Sequence, residues 1–152
     1  MKPSFRWVTF VSLLSFAAPS VVPLAQAEPV APAQRVVVHL SHASDDLHAP
    51  FMALKLAQAM QEKGAQVTLL LDLEGVRVAD TRQPNDTHWG SGEPLASHYN
   101  GFIKAGGKVL VCPHCASAVG LDTKSLRPGA QIAKDTGELA AVLIAADKIL
   151  DY

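Results

Sequence analysis

Short runs of apolar, β-branched residues recur along the chain, and segments of helical periodicity separate them. The first run, residues 35–41, reads Arg-Val-Val-Val-His-Leu-Ser, which is typical of a strand buried on both faces. The next segment carries Phe51, Leu54 and Ala57 on one helical stripe. Gly64 then provides a helix C-cap. Strands that alternate with helices in this way predict a three-layer α/β sandwich with a mostly parallel sheet.

The same reasoning predicts the remaining elements. Further strands are expected at 66–71, 108–111, 129–133 and 148–152, and helical segments at 73–81, 95–105 and 136–146. Ser44, Asp45 or Asp46 is expected to cap the first helix, and Thr136 to cap the last. Residues 83–94 are rich in Pro, Asn, Asp, Gly and Ser, which favours a long exposed loop.

The start of the chain has the features of a secretory signal peptide. Lys2 and Arg6 precede an apolar run over 7–18, which is shorter than the roughly 20 residues of a membrane-spanning helix. Ala25-Gln26-Ala27 forms a small-residue cleavage site. The expected organisation is a signal peptide over 1–27, a linker over 28–34 and one domain over 35–152. We therefore expect a periplasmic protein, cleaved after Ala27, with no stable membrane anchor.

Charge sets a limit on the partners. Without Lys2 and Arg6, 11 of the 13 basic residues remain against 14 acidic residues, a net charge of −3. No basic patch stands out, which argues against nucleic acid as a partner.

The strongest chemical motif is Cys112-Pro113-His114-Cys115, which follows the strand predicted at 108–111. Unpaired N–H groups at the start of a following helix would stabilise a thiolate, and a protonated His114 would favour it further. Because this effect fades within the first turn, Cys112 is the expected nucleophile and Cys115 the second thiol.

Ligands of parallel sheets bind beyond the carboxyl ends of the strands. His42 follows the first strand as Cys112 follows the third, so His42 joins Cys112, Cys115 and His114 as a candidate site residue. His39, inside the first strand, is interpreted as structural.

The residues alone leave two other chemistries open. The tetrapeptide resembles the active site of periplasmic DsbA oxidases, yet only 37 residues follow Cys115, too few for a thioredoxin fold. Convergent thiol–disulfide chemistry stays open. The pair could instead bind Zn or Cu together with His42 or His114.

In the order of its motifs, the domain resembles the DsrE/DsrF-like family, which includes sulfur-relay proteins and YchN-type proteins. The resemblance runs from the opening strand to the end of the chain. It rests on Ser44-Asp45-Asp46, Ala53-Leu54-Lys55-Leu56-Ala57, Glu74-Gly75-Val76-Arg77, Gly106-Gly107-Lys108-Val109, the cysteine motif, Gly120-Leu121 and Gly129-Ala130.

The resemblance implies a function. Sulfur-relay members carry a persulfide on a cysteine eight residues before a glycine, and here Cys112 precedes Gly120 by that spacing. The implied function is sulfane-sulfur binding and transfer on Cys112, as a carrier rather than a classical enzyme and with no required cofactor. Donors and acceptors would be proteins or small thiols, and the implied assembly is a homo-oligomer, a trimer or hexamer. Cys115 and export both depart from the single-cysteine, cytoplasmic relay pattern.

Overall fold

The structure, a computed structural model, describes residues 33–90 and 92–152. The predicted signal peptide and most of the linker lie outside these residues. The strands are β1 (Arg35–Leu40), β2 (Gln66–Leu71), β3 (Lys108–Val111), β4 (Ala130–Ile132) and β5 (Lys148–Asp151). The helices are α1 (His48–Glu62), a 3₁₀ helix (Leu73–Ala79), α2 (Leu95–Lys104), α3 (Pro113–Ala118) and α4 (Thr136–Ala145).

The five strands form one parallel sheet in the order β4-β3-β2-β1-β5. The predicted α/β sandwich is confirmed. The chain steps outward from β1 to β4 and then returns to place β5 on the other side of β1. Because such crossovers are right-handed, this reversal puts α4 on the face opposite α1 and α2.

Side-chain alternation along the strands separates the two faces of the sheet. Val36, Val38 and Leu40 of β1 face the main core with α1 and α2, while Val37 and His39 face α4. Among the helices of residues 33–90 and 92–152, α4 covers the second face. Among the described residues, no helix has both the length and the apolar character needed to cross a membrane.

Two predicted helix caps are wrong. Leu47 occupies the cap position of α1, and its side chain makes no capping hydrogen bond. The carboxylate of Asp46, one residue before the cap position, accepts the His48 N–H at 3.0 Å. For α4, Asp135 rather than Thr136 is the cap, and its carboxylate accepts the Glu138 N–H at 2.9 Å. An extended backbone at Asp135 aims this carboxylate at the first turn of the helix.

Asp80 ties the long loop to the domain. Its side chain is 1% exposed and accepts three hydrogen bonds from the Arg82 guanidinium and one from the Arg82 N–H. Its backbone forms an isolated antiparallel bridge with Leu126. The hydrogen bonds from Arg82 are the main cause that lowers the pKa of Asp80 below its ordinary value of 3.8.

We expect Asp80→Asn to destabilise the domain by about 2 kcal/mol at pH 7, because Arg82 would lose a buried carboxylate partner. Because the pKa of Asp80 is lower in the folded than in the unfolded protein, its carboxylate stabilises the fold above the unfolded pKa, and this stabilisation is lost as the pH falls through the folded pKa. The difference in free energy of unfolding between the wild type and Asp80→Asn should therefore shrink in acid. Urea unfolding at pH 7 and at about pH 3 measures it, with the exposed Asp86→Asn as control. A gap that is constant with pH would contradict the ion-pair explanation.

Candidate functional site

Cys112 lies where β3 meets α3. Its N–H donates to the Leu71 carbonyl oxygen at 2.8 Å, so the residue keeps the register of the sheet although it lies beyond the strand. Its backbone is extended, and Pro113 opens α3 directly after it. A proline suits this position because the first helical N–H has no helical partner. The sulfur is consequently fixed at the carboxyl edge of the sheet, and the residue is only 9% exposed.

Cys115 lies one turn into α3 and is half-buried against the main core. Both cysteines are free thiols. Burial is the main cause that raises the pKa of the Cys115 thiol; the hydrogen bond to Cys112 and the charges of Cys112 and Asp72 also raise it, while the Leu73 N–H lowers it by donating to the sulfur. A raised pKa leaves less of Cys115 as thiolate near neutral pH, which makes it a poorer nucleophile than an ordinary cysteine.

Leu73 begins the 3₁₀ helix with φ of +43°, in the left-handed region that leucine rarely occupies. Its N–H donates to the Cys115 sulfur. Strain of this kind costs about 1–3 kcal/mol and persists where surrounding contacts impose it. Two residues on, the Gly75 N–H donates to the Ser41 carbonyl oxygen at 3.1 Å and holds the 3₁₀ helix against the end of β1.

The register of the sheet brings four polar residues onto the face covered by α4. His39 pairs with Asp151 of β5, while Asp72 and Cys112, which follow the paired residues Leu71 and Val111, lie opposite one another two positions nearer the carboxyl edge. Side-chain contacts connect Asp151 to His39 and His39 to Asp72, and Asp72 neighbours Cys112. We call Asp151, His39 and Asp72 the polar row.

His39 lies between two carboxylates. Its Nδ1 is 2.5 Å from Asp151 Oδ1, and its Nε2 is 2.9 Å from Asp72 Oδ1. Burial, the largest single effect, lowers the pKa of His39, but the side-chain contacts and charges of Asp72 and Asp151 outweigh it and raise the pKa above 6.5. Only the imidazolium form carries an N–H on each ring nitrogen, so this form suits a ring placed between two carboxylates. The contact with Asp72 is one of charge, because the buried Asp72 Oδ1 has no partner of hydrogen-bond geometry among the described residues.

A cleft of about 360 Å³ lies between the polar row and α4. Its other walls are apolar or uncharged: Leu70, Thr136, Leu139, Ala140, Leu143 and Ile149. The polar row is thus the charged part of the cleft, and its member Asp72 lies opposite Cys112 in the register of the sheet.

The two predicted histidines lie apart. The His114 Nε2 is 3.3 Å from Thr136 Oγ1, which connects α3 to the start of α4 beside the cleft. The ring of His42 instead contacts Asp45 of its own loop, with Nδ1 2.6 Å from Oδ2. The hydrogen bond to Asp45 raises the pKa of His42, and the Ala43 N–H with His42 lowers the pKa of Asp45 to about 2. Among the hydrogen bonds of the described residues, none joins His42 to either cysteine.

Sequence reasoning missed the polar row. His39 was interpreted as structural, and Asp72 and Asp151 were not singled out. A period-two pattern with a polar residue near the end of an otherwise apolar strand was the available signal. Within the described part of the chain, no group of three or more His, Cys, Asp and Glu side chains is arranged to hold a metal ion.

A parallel α/β domain with a Cys-x-x-Cys pair at the carboxyl edge of its sheet defines the general class of this protein. The sequence profile of the DsrE/DsrF-like family matches residues 34–152, and the chain belongs to that family. The predicted resemblance is thereby confirmed, and the family's association with sulfur relay gives the general kind of function.

Solved structures agree with this fold. The ychN protein from E. coli is 25% identical, with a TM-score of 0.67, and the match covers 78% of this chain and 99% of that protein. MTH1491 from Methanobacterium thermoautotrophicum is 14% identical with a TM-score of 0.62, covering 78% and 99%. BT1422 from Bacteroides thetaiotaomicron is 15% identical with a TM-score of 0.58, covering 78% and 95%. No curated protein matches the sequence.

Proposed function

We propose that this protein is a periplasmic carrier that accepts sulfane sulfur on Cys112 and passes it to another thiol. The observation that carries the proposal is the position of Cys112, fixed at the carboxyl edge of the sheet with a second thiol one turn away. Membership of a family associated with sulfur relay supports it. A carrier needs only a thiolate and a route to it, so no further catalytic group is required.

The chemistry follows from thiol exchange. The Cys112 thiolate attacks the terminal sulfur of a donor persulfide, R–S–SH; a new S–S bond forms, the donor S–S bond breaks, and its electron pair leaves on R–S⁻. Attack by an acceptor thiolate on the terminal sulfur of Cys112–S–SH passes that sulfur on. Attack by the Cys115 thiolate on the inner sulfur instead gives a Cys112–Cys115 disulfide and releases HS⁻. Cys115 therefore limits the lifetime of the persulfide.

The proximity of the two thiols also favours a second candidate, a thiol–disulfide redox protein. The hydrogen bond between Cys115 and Cys112 places both sulfurs within reach of one another. In that role the disulfide would be the working oxidised state rather than an end to sulfur transfer.

Intact-mass and metal analysis of protein isolated from the periplasm without reductant tests these alternatives. The carrier proposal expects one or more added sulfur atoms that reductant removes. A loss of two protons without added sulfur would favour the redox protein, and a bound Zn or Cu ion would favour a metal site at Cys112 and Cys115. Protein that carries no sulfur, and takes none from a polysulfide donor, would overturn the carrier proposal.

The proposed compartment has its own test. The signal-like segment over 1–27 motivates the expectation that the mature protein begins at Glu28. N-terminal sequencing of the protein from a periplasmic extract should read Glu-Pro-Val. Retention of residues 1–27 in a membrane fraction would contradict the proposed compartment.

We also propose a homo-oligomer, as the family resemblance implies. The outward side of α4 leaves an apolar side chain uncovered, with Ile144 86% exposed. We propose that a second copy of this chain packs against this surface, because exposed apolar side chains favour burial at an interface. Sedimentation should give the mass of a trimer or hexamer, and Ile144→Glu should lower it while the exposed Lys55→Glu should not. A wild-type monomer would contradict the proposal.

A further inference from the structure

The polar row sets the charge that a reagent meets beside the cysteine pair. With His39 protonated, Asp151, His39 and Asp72 together carry a net charge of −1, and with His39 neutral they carry −2. The sign is negative in both states. Asp72 is the member beside the cysteines, because the register of β2 and β3 places it opposite Cys112, and its charge is one of the smaller causes that raise the pKa of Cys115.

The other charged groups around the cysteines do not reverse this sign. On the 3₁₀ helix, Glu74 is paired with Arg77 at 2.6 Å. After β4, the basic Lys134 is followed by the acidic Asp135 and Glu138, which accept backbone N–H groups, so this segment adds no net positive charge. The side of α4 that lines the cleft offers no charged residue. From α3 the titratable neighbour is His114, which contacts Thr136.

Sulfur donors differ in charge. Thiosulfate is a dianion and inorganic polysulfides are anions, whereas the persulfide of an aminothiol carries an ammonium group on a short alkyl chain. A cleft with apolar walls and a negative end is complementary to that second class, because the walls suit the alkyl chain and the carboxylates suit the ammonium.

We propose that the polar row determines donor specificity, disfavouring anionic sulfur donors and favouring persulfides of small aminothiols such as cysteamine. The donor classes named in this inference rest on the proposed sulfur-carrier function. The electrostatic effect of the polar row on the cysteines does not depend on that function. Asp72 supplies the negative charge that discriminates between anionic and cationic donors. His39 is a positioning residue, and its protonated ring partly offsets the charge of Asp72.

A pair of alkylating reagents measures this charge effect apart from sulfur chemistry. Iodoacetate is an anion and iodoacetamide is neutral, and both react with the same thiolate. The ratio of their rates therefore cancels differences in thiolate fraction. We expect Asp72→Asn to raise the iodoacetate-to-iodoacetamide ratio about threefold, the order of effect that one unit charge exerts over a few ångströms in water-like surroundings. His39→Gln, at about pH 6, should lower the ratio, because Asp72 would lose its cationic neighbour.

The opposite directions expected for these two variants separate the charge effect from loss of structure, which would move both ratios the same way. Asp147→Asn is the matched control, since it removes the same charge at the amino end of β5, where Asp147 contacts Arg35. Rates at each cysteine come from peptide mass spectrometry. An unchanged ratio in Asp72→Asn, or a shift of equal size in Asp147→Asn, would overturn the proposal.

The donor preference is tested by loading the wild-type protein with cysteamine persulfide and with thiosulfate. The expected result is faster loading from cysteamine persulfide, with the preference reduced about threefold in Asp72→Asn. A donor preference that Asp72→Asn leaves intact would overturn the donor part of this proposal while the carrier function stands. No loading from any donor, with the alkylation ratios shifted as expected, would instead overturn the carrier function and leave the charge effect in place.

Discussion

Replacing Cys112 with serine is expected to lower sulfur loading from a polysulfide donor by about two orders of magnitude or more, because a hydroxyl is a far weaker nucleophile than a thiolate. Replacing Cys115 with serine should instead lengthen the lifetime of the persulfide on Cys112. In Cys115→Ser the Cys112 persulfide should persist, since no neighbouring thiolate can attack its inner sulfur and expel HS⁻. Serine is nearly the same size as cysteine, so either change leaves α3 packed.

Peptide mass spectrometry of both variants after donor treatment gives the site and the amount of added sulfur. The double variant, with both cysteines replaced, provides the background. Equal loading of Cys115 in Cys112→Ser would show that the nucleophile is wrongly assigned. No loading in either single variant would contradict the carrier proposal and leave the redox and metal alternatives.

Gly75→Ala is expected to have the largest effect on stability, about 3 kcal/mol or more. A Cβ at this position would lie 2.8 Å from the Leu40 carbonyl carbon and closer still to its oxygen. Backbone at the buried end of β1 cannot move aside as a flexible side chain can, so the 3₁₀ helix must shift. Because Leu73 begins that helix, the shift should also withdraw its N–H from Cys115 and slow alkylation of this cysteine near neutral pH.

Gly92→Ala is the matched control. Gly92 has no positive φ, and an added Cβ would meet the Phe51 ring at 3.4 Å and the Trp89 carbonyl oxygen at 3.6 Å, which are ordinary contacts. Its free energy of unfolding should stay within about 1 kcal/mol of wild type. Urea unfolding and the rate of Cys115 alkylation are the two measurements. If Gly75→Ala were as stable as the wild type, the backbone at the end of β1 would be able to move away from the added Cβ, contrary to our explanation.

The order of the elements could be predicted from the sequence because each depends on local pattern. The run over 35–41 is too apolar and β-branched for an exposed segment, and four of its residues are buried in β1. The strand predicted at 108–111 is confirmed to the residue as β3. The helix caps were less well predicted, because Asp46 and Asp135 depend on loop geometry that several polar neighbours could equally provide.

The cysteine motif was also evident from sequence, because its two thiols are separated by only two residues. Cys112 and Cys115 were therefore bound to be close whatever the fold, and a preceding strand placed them at a sheet edge. His114 came with the motif, but the partner of its ring, Thr136, lies 22 residues away and could not be foreseen.

The polar row depended on tertiary structure. Asp151 is 112 residues from His39, and their contact exists only because the chain reverses after β4 and adds β5 beside β1. Sequence alone determined a parallel α/β domain with two thiols beyond its third strand, since local periodicity and a four-residue motif encode both. Strand order and register decided which histidine contacts Asp72 on the sheet face that carries Cys112, because side chains distant in sequence meet only when the sheet is assembled. His39 holds that position, and His42 contacts Asp45 within its own loop.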